Sequence, residues 1–169
     1  LNQDGSIDNT FSNSGIPNNK INEVVILPDD KIIIAGQFTT FGVQNCGRIA
    51  RLSSNGTIDL SFNSIGVNSS IEELVLQDDG KIIIGTVFAD PFGPNRTILD
   101  RINADGSLDS SFNTGTGANY LINRMSLQPD GKILIVGGFN KINGIVQNGI
   151  ARLNSDGSLD TSFHSGSNN

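Results

Sequence analysis

The sequence is poor in the side chains that most often carry chemistry. It contains no tryptophan, one cysteine and one histidine. Cys46 has no second cysteine with which to form a disulfide or a thiolate metal site. His164 stands alone near the C-terminus, so a histidine-based metal site or a Ser-His-Asp arrangement would need residues from another chain. We therefore expect a non-enzymatic protein with no catalytic residue, no cofactor and no metal.

Charge and long apolar runs are also scarce. Charged residues make up 17% of the chain and the net charge is −6, so no basic patch for nucleic acid is expected. The following basic residues recur at regular spacing, which spreads them evenly: Lys31, Lys81, Lys132, Arg51, Arg101 and Arg152. No stretch approaches the roughly 18 apolar residues of a membrane-spanning helix, and no signal peptide is recognisable. We expect neither nucleic-acid binding nor membrane insertion.

What the sequence does contain is a tandem repeat with a period of about 50 residues. One block joins Asp-Gly or Asn-Gly to a hydroxyl residue, Ile or Leu, and Asp, and it reaches a phenylalanine three residues later. Its glycines are Gly5, Gly56, Gly106 and Gly157, and its phenylalanines are Phe11, Phe62, Phe112 and Phe163. A second block, a lysine followed by three Ile or Leu residues, begins at Lys31, Lys81 and Lys132. Two independent blocks thus keep one period.

Each repeat predicts four short antiparallel strands. In the second repeat these cover about 71–77, 81–88, 96–102 and 106–112, are rich in Ile, Val and Leu, and are separated by turn residues. The run Ile82-Ile83-Ile84 is apolar on both faces, as in a strand covered by neighbouring sheets. The fold class is therefore predicted to be all-β, with four-stranded blades of a β-propeller or a closely related β-solenoid.

Side-chain parity selects the hairpin turns, because a slip of one residue sends the apolar side chains to the wrong face. A three-residue loop with Gly56 in the left-handed conformation pairs Leu52 with Ile58 and Arg51 with Asp59. The same register predicts the pairs Arg101–Asp109 and Arg152–Asp160. We interpret these as solvated structural pairs, and the aspartates as turn residues, because the calcium-loop pattern of alternating acids is absent. In the other hairpin, Asp30 stands where later repeats have glycine, and aspartate tolerates the left-handed conformation.

These motifs resemble the delta-60 repeat, a bacterial repeat assigned to β-propellers of unknown function. The resemblance rests on R-L/I-x-x-D/N-G-S/T-I/L-D-x-x-F followed by D-G-K-I-L/I-I, and it covers nearly the whole chain. It implies a secreted or cell-surface location in bacteria, and it implies no catalytic residues. This sequence departs from the pattern at Asp30, Asn55 and Leu60.

The whole chain forms a single repeat region. We predict the last strand of a preceding repeat at 1–11, complete repeats at 12–62, 63–112 and 113–163, and a polar tail at 164–169. Closed propellers use about 4–8 blades, and open blade edges favour pairing with another chain. A fragment of a longer propeller, two chains closing one ring and a filament-like stack are all compatible with this count.

Any binding is expected on the side that carries the long, dissimilar connections, since the short turns lie on the opposite side. These connections are 12–20, 39–47, 63–70, 89–95, 113–120 and 140–148. The residues predicted to contact a protein or glycan there are Phe41, Phe92, Arg96, Tyr120 and Lys141. A structural or adhesion platform is the favoured function. A lectin-like module is the main alternative and would need aromatic residues at equivalent loop positions, but Asn143, one period after Phe92, has no ring. An extracellular filament is the second alternative.

Overall fold

The protein is described by a computed structural model that covers residues 1–11, 15–64 and 67–164. These residues form strands, turns and bends, and among them no helix is long and apolar enough to cross a membrane. The strands are β1 (Ile21–Ile26), β2 (Ile32–Gly36), β3 (Thr40–Phe41), β4 (Gln44–Asn45), β5 (Ile49–Leu52), β6 (Ile71–Leu76), β7 (Ile82–Phe88), β8 (Arg96–Ile102), β9 (Ile122–Leu127), β10 (Ile133–Gly137), β11 (Lys141–Ile142), β12 (Ile145–Val146) and β13 (Ile150–Leu153). The predicted all-β class is confirmed.

Each repeat forms one antiparallel three-stranded sheet, in the orders β1-β2-β5, β6-β7-β8 and β9-β10-β13. We call these sheets, with their connecting loops, blades 1, 2 and 3. The hydrophobic core lies between the blades: Ile33 and Ile49 of blade 1 pack with Ile82 of blade 2. On its opposite face, blade 2 packs Ile83 and Leu99 against blade 3. Face-to-face stacking of successive sheets is the arrangement that the repeat predicted.

The fourth strand predicted in each repeat is a single β-bridge rather than a strand. The bridges pair Leu52 with Ile58, Ile102 with Leu108 and Leu153 with Leu159, which confirms the three-residue register. The chain then turns, because the Asp109 carboxylate accepts the Ser111 N–H at 3.0 Å and the Asp109 carbonyl accepts the Phe112 N–H at 3.2 Å. These local bonds replace the ladder that a strand over 106–112 would need.

The hairpin that opens each blade also has the predicted register. Leu76 pairs with Ile82 and Leu127 with Ile133. Asp30 adopts a φ of 63°, close to the 81° of Gly80 in the equivalent turn. The aspartate therefore supplies the left-handed conformation that the other repeats take from glycine.

Blades 1 and 3 carry an accessory hairpin within segments that the sequence predicted as irregular loops. These hairpins are β3–β4 and β11–β12. Isolated bridges join Pro17 to Phe41 and Ala118 to Ile142, so each hairpin lies against the segment that leads into its blade. The prediction that Phe41 belongs to a binding face is therefore wrong. Phe41 is buried with Phe38 in the core of blade 1.

A glycine at the end of the second strand explains these hairpins. A Cβ added at Gly36 would lie 2.3 Å from the Lys20 carbonyl oxygen, and one at Gly137 would lie 2.2 Å from that of Leu121. Only glycine permits so close an approach. The next residues can then leave the strand, and Phe38 and Phe139 become almost completely buried, with 0% and 1% of their surface exposed.

Blade 2 departs from this pattern because Thr86 occupies the equivalent position. Strand β7 continues to Phe88 and pairs with β8 without interruption, from Ile82–Ile102 to Phe88–Arg96. Among the residues described for blade 2, no accessory hairpin follows. The Phe88 side chain remains 38% exposed, and its ring lies 5.3 Å from the Arg96 guanidinium carbon. Blade 2 is therefore the irregular member of the array.

Candidate functional site

An aspartate at the end of each repeat is held by two cations. We call these groups the aspartate clusters: Asp59 with Lys31 and Arg51, Asp109 with Lys81 and Arg101, and Asp160 with Lys132 and Arg152. In blade 2, Lys81 Nζ lies 2.8 Å and Arg101 Nε 2.9 Å from Asp109 Oδ2. The predicted cross-strand Arg–Asp pairs are thus formed. In blade 2 the pair is not solvated as predicted, since Arg101 and Asp109 are both buried, whereas Arg51, Asp59 and Arg152 are partly exposed.

The aspartate clusters also connect neighbouring blades. Arg51 Nη1 donates to the Ala104 carbonyl at 2.6 Å, and Arg101 Nη1 donates to the Ser155 carbonyl at 2.6 Å. Both carbonyls belong to the Asp-Gly turn of the following blade. The Arg51 guanidinium also lies 5.0 Å from the Phe62 ring centroid, within range of a cation–π contact. The Arg51 side chain therefore bonds both to Asp59 in its own hairpin and to the turn of the next blade.

Hydrogen bonds and charge in the clusters keep the carboxylates ionised. The pKa of Asp109 lies well below its ordinary value of 3.8, because Lys81 and the Ser111 hydroxyl and N–H donate to the carboxylate. The sequence showed the lysines at repeat-equivalent positions but gave no reason to place them beside these aspartates. The four turn glycines, Gly5, Gly56, Gly106 and Gly157, all have positive φ angles. We assign the clusters to the stability of the blade stack.

Four of the five predicted site residues, Phe92, Arg96, Tyr120 and Lys141, lie on the loop face of blades 2 and 3. A cleft of about 300 Å³ is lined by Asp90, Pro94, Arg96, Thr116, Gly117, Ala118, Asn119, Lys141 and Gly144. It brings together two predicted site residues, Arg96 from β8 and Lys141 from β11. Arg96 Nη1 is anchored to the Thr116 carbonyl at 2.9 Å. The Lys141 ammonium has no hydrogen-bond or ion-pair partner among the described residues, so it is available to a ligand.

Two predicted aromatic residues border this region. Phe92 is 98% exposed and lies in the loop whose ends, Asp90 and Pro94, line the cleft. The Asp90 carboxylate stabilises this loop by accepting the Phe92 N–H at 2.9 Å. Tyr120 is half exposed and lies beside Gly138, where an added Cβ would be 2.9 Å from the tyrosine ring. Phe41 is buried and does not reach this region. Phe41 and Phe92 are therefore not the pair of exposed, equivalent loop aromatics that a lectin-like module would need.

The remaining sequence predictions concern single residues and short segments. Cys46 is buried, and burial raises the pKa of its thiol. His164 is exposed, and its Nδ1 lies 3.0 Å from the Ser162 carbonyl. In residues 1–11, 15–64 and 67–164, no group of three or more His, Cys, Asp and Glu side chains is placed to hold a metal. Parts of the predicted connections 12–20 and 63–70, and the tail beyond His164, lie outside the described residues.

Comparison with known proteins gives a family but no relative of known activity. No curated protein matches the chain. A protein family matches three times, over residues 27–62, 77–112 and 128–163, which together make up more than half of the sequence. Each match begins beside the first hairpin turn of a blade and ends at the phenylalanine that follows an aspartate cluster. The chain therefore belongs to the family described as a domain of unknown function (DUF5122) beta-propeller.

Proposed function

We propose that the chain is a non-enzymatic interaction module that binds a protein partner at the loop face of blades 2 and 3. The observation that carries the proposal is the free Lys141 ammonium beside the anchored Arg96 in one cleft. The fully exposed Phe92 next to that cleft supplies an aromatic anchor of the kind that concentrates binding energy in protein interfaces.

The charges of the cleft favour a partner segment that carries a carboxylate. Arg96 and Lys141 contribute two positive charges and Asp90 contributes one negative charge, so the lining of the cleft is net positive. This region therefore differs in sign from a chain whose net charge is −6. Complementary charge sets orientation and association rate, and the apolar contact with Phe92 adds affinity.

A library of random peptides displayed on phage tests this proposal. Selection on the wild-type protein is expected to enrich peptides with Asp or Glu beside an apolar residue. The most enriched peptide, made synthetically, is expected to bind with a Kd below about 100 µM, and Lys141→Glu is expected to weaken it at least about tenfold because the charge is reversed. Fluorescence anisotropy of the labelled peptide measures both values.

Lys20→Glu is the matched control, because Lys20 is another exposed lysine with the same charge change and does not line the cleft. It is expected to leave the Kd unchanged within about twofold. Equal weakening by both variants would show a general charge effect. Enrichment without acidic residues would contradict the proposed partner chemistry.

Self-association through the open face of blade 1 is a second proposed role. Val24 and Ile26 are 56% and 68% exposed, although their equivalents Leu74 and Leu76 pack in the core between blades 1 and 2. Exposed β-branched residues on a sheet face favour contact with another sheet. A neighbouring blade of the same type, from a second copy or from the rest of a longer protein, would cover them.

The mass of the protein in solution tests this second role. Sedimentation velocity of the wild type is expected to show a mass that rises with concentration, whereas a Val24→Lys/Ile26→Lys variant is expected to remain at the mass of one chain. Leu60→Lys is the control, because Leu60 is equally exposed but its repeat equivalents, Ser110 and Thr161, are also exposed. A wild-type protein that stays monomeric up to about 1 mM would exclude useful self-affinity.

We also propose a secreted or cell-surface location in bacteria. Its support is the resemblance of the motifs to the delta-60 repeat, and it is compatible with a role as an adhesion or spacer platform.

A further inference from the structure

The irregular blade 2 contains a second cavity, separate from the cleft at Lys141. Its volume is about 240 Å³, and it is lined by Val67, Asn68, Ser69, Thr86, Ile98, Asp100, Ile102 and Leu108. Residues 67–69 belong to the segment that leads into blade 2, and the others lie on blade 2 itself. In blades 1 and 3 a buried phenylalanine and an accessory hairpin follow the second strand, but here Phe88 is turned outward. The cavity thus lies where Thr86 stands in place of the glycine of the other two blades.

The charged residue in this cavity is Asp100, which replaces a buried alanine of the other blades. Asp100 pairs with Ile84 in the sheet, as Ala50 pairs with Ile34 and Ala151 with Ile135. Both alanines are buried in the cores of their blades. A carboxylate has therefore taken the place of a methyl group on a face that is otherwise apolar.

The Asp100 carboxylate differs from the aspartates of the clusters in having no partner among the described residues. Asp109 is held by two cations and a serine, whereas no hydrogen bond or ion pair reaches the Asp100 side chain from the described residues. Burial raises the pKa of Asp100 above its ordinary value. An unpaired, half-buried carboxylate lowers the stability of a fold, and such groups in cavities are frequent at binding sites.

The walls of the cavity determine the chemistry of a complementary ligand. Ile98, Ile102 and Leu108 provide apolar surface, and Thr86 and Ser69 provide hydroxyl groups. Among the described residues no lysine or arginine lines the cavity, so a cation would face Asp100 without competition from the lining. Nearby Arg48 directs its guanidinium to the Asn68 and Gln37 carbonyls, at 3.1 and 2.9 Å, rather than to Asp100.

We propose that this cavity binds a primary alkylammonium group, with the ammonium at the Asp100 carboxylate and the alkyl chain against Ile98, Ile102 and Leu108. Small ligands are typically held in this way, by an apolar pocket that contains few polar groups. The ligand can be a free amine or the side chain of a lysine presented by another protein. The two sources share their chemistry and differ in the bulk attached to the alkyl chain.

Titration of the ¹⁵N-labelled protein, followed by amide chemical shifts, tests the proposal with two probes. n-Butylammonium chloride represents a free amine, and Nα-acetyl-lysine methylamide represents a lysine side chain. We expect saturable shifts at Thr86, Ile98 and Asp100 with a Kd in the millimolar range. Binding of both probes supports a lysine or an amine, and binding of butylammonium alone supports a free amine. Absence of saturable shifts with either probe up to about 100 mM overturns the proposal.

Variants and a neutral probe separate charge recognition from nonspecific binding. Asp100→Asn keeps the shape of the side chain and is expected to weaken butylammonium binding at least about tenfold. Asp78→Asn, at an exposed turn aspartate outside the cavity, is the matched control and is expected to have no effect. n-Butanol, which lacks the charge, is expected to bind at least about tenfold more weakly than butylammonium. Equal binding by wild type and Asp100→Asn contradicts a role for the carboxylate.

Discussion

Replacing Asp109 with alanine is expected to lower the free energy of unfolding by about 3 kcal/mol, because it breaks a buried ion pair and leaves Arg101 without its carboxylate. Arg101 is buried and joins three elements: its own strand, the turn at Ser111 and the carbonyl of Ser155 in blade 3. Lys81 loses its partner in the same substitution. Urea unfolding followed by circular dichroism measures the change.

Asp8→Ala is the matched control for this prediction. Asp8 has the same position in the motif as Asp109, but its carboxylate is held by hydrogen bonds from Thr10, and no lysine or arginine among the described residues forms an ion pair with it. No measurable change in unfolding is expected for Asp8→Ala. Equal effects of the two substitutions would show that the aspartate clusters do not stabilise the blade stack.

The pH dependence of unfolding provides an independent readout of the same cluster. The pKa of Asp109 in the folded protein is lowered from its ordinary value of 3.8 by Lys81, Ser111 and Arg101. The stabilisation is therefore fully present above pH 3.8 and is lost as the pH falls below that value, toward the lowered pKa. Asp109→Asn is expected to lose less stability than wild type between about pH 4 and pH 2.

Phe38→Ala is expected to destabilise the protein by about 3–5 kcal/mol, because it empties the core beneath the accessory hairpin of blade 1. The side chain is 0% exposed and packs with Phe41 and Cys46. Loss of Phe38 is also expected to loosen the accessory hairpin. The hairpin would then depend on its other contacts, which include the bridge between Pro17 and Phe41 and the hydrogen bonds to the Asn18 side chain. Urea unfolding measures the change in free energy.

Phe88→Ala is the control from the irregular blade. Phe88 is the repeat equivalent of Phe38, yet it is 38% exposed and contacts Arg96 at the surface. Its removal is expected to cost about 1 kcal/mol or less, through a partly exposed cation–π contact. If Phe88→Ala were as destabilising as Phe38→Ala, blade 2 would contain a buried phenylalanine like the other two blades.

The registers of the hairpins were predicted correctly because side chains alternate strictly between the two faces of a sheet. Leu52 and Ile58 must share a face, so the hairpin register and the Arg51–Asp59 pair follow from parity. The lysines of the aspartate clusters could not be found in this way. Lys31 meets Asp59 across the width of the sheet, and pairing of consecutive strands does not give that contact.

The misplacement of Phe41 came from counting residues where the repeats differ in structure. Phe41 and Phe92 lie one period apart, but the structural equivalent of Phe41 is Ile142, which makes the same bridge in blade 3. The residue that distinguishes blade 2 was visible in the sequence, because Thr86 occupies the repeat position that holds Gly36 in blade 1 and Gly137 in blade 3. Its meaning depends on the approach of the Lys20 and Leu121 carbonyls, and only the folded chain shows those contacts.

The loop face of blades 2 and 3 is the interaction surface that we propose for this propeller array. The most direct test is an amide chemical-shift map of the ¹⁵N-labelled protein with the acidic peptide enriched on phage. We expect saturable shifts at Phe92, Arg96, Lys141 and the segment 116–119. Shifts confined to the turns at 28–30, 78–80 and 129–131 would contradict the proposal, because they would place binding on the opposite side, which carries the short hairpin turns.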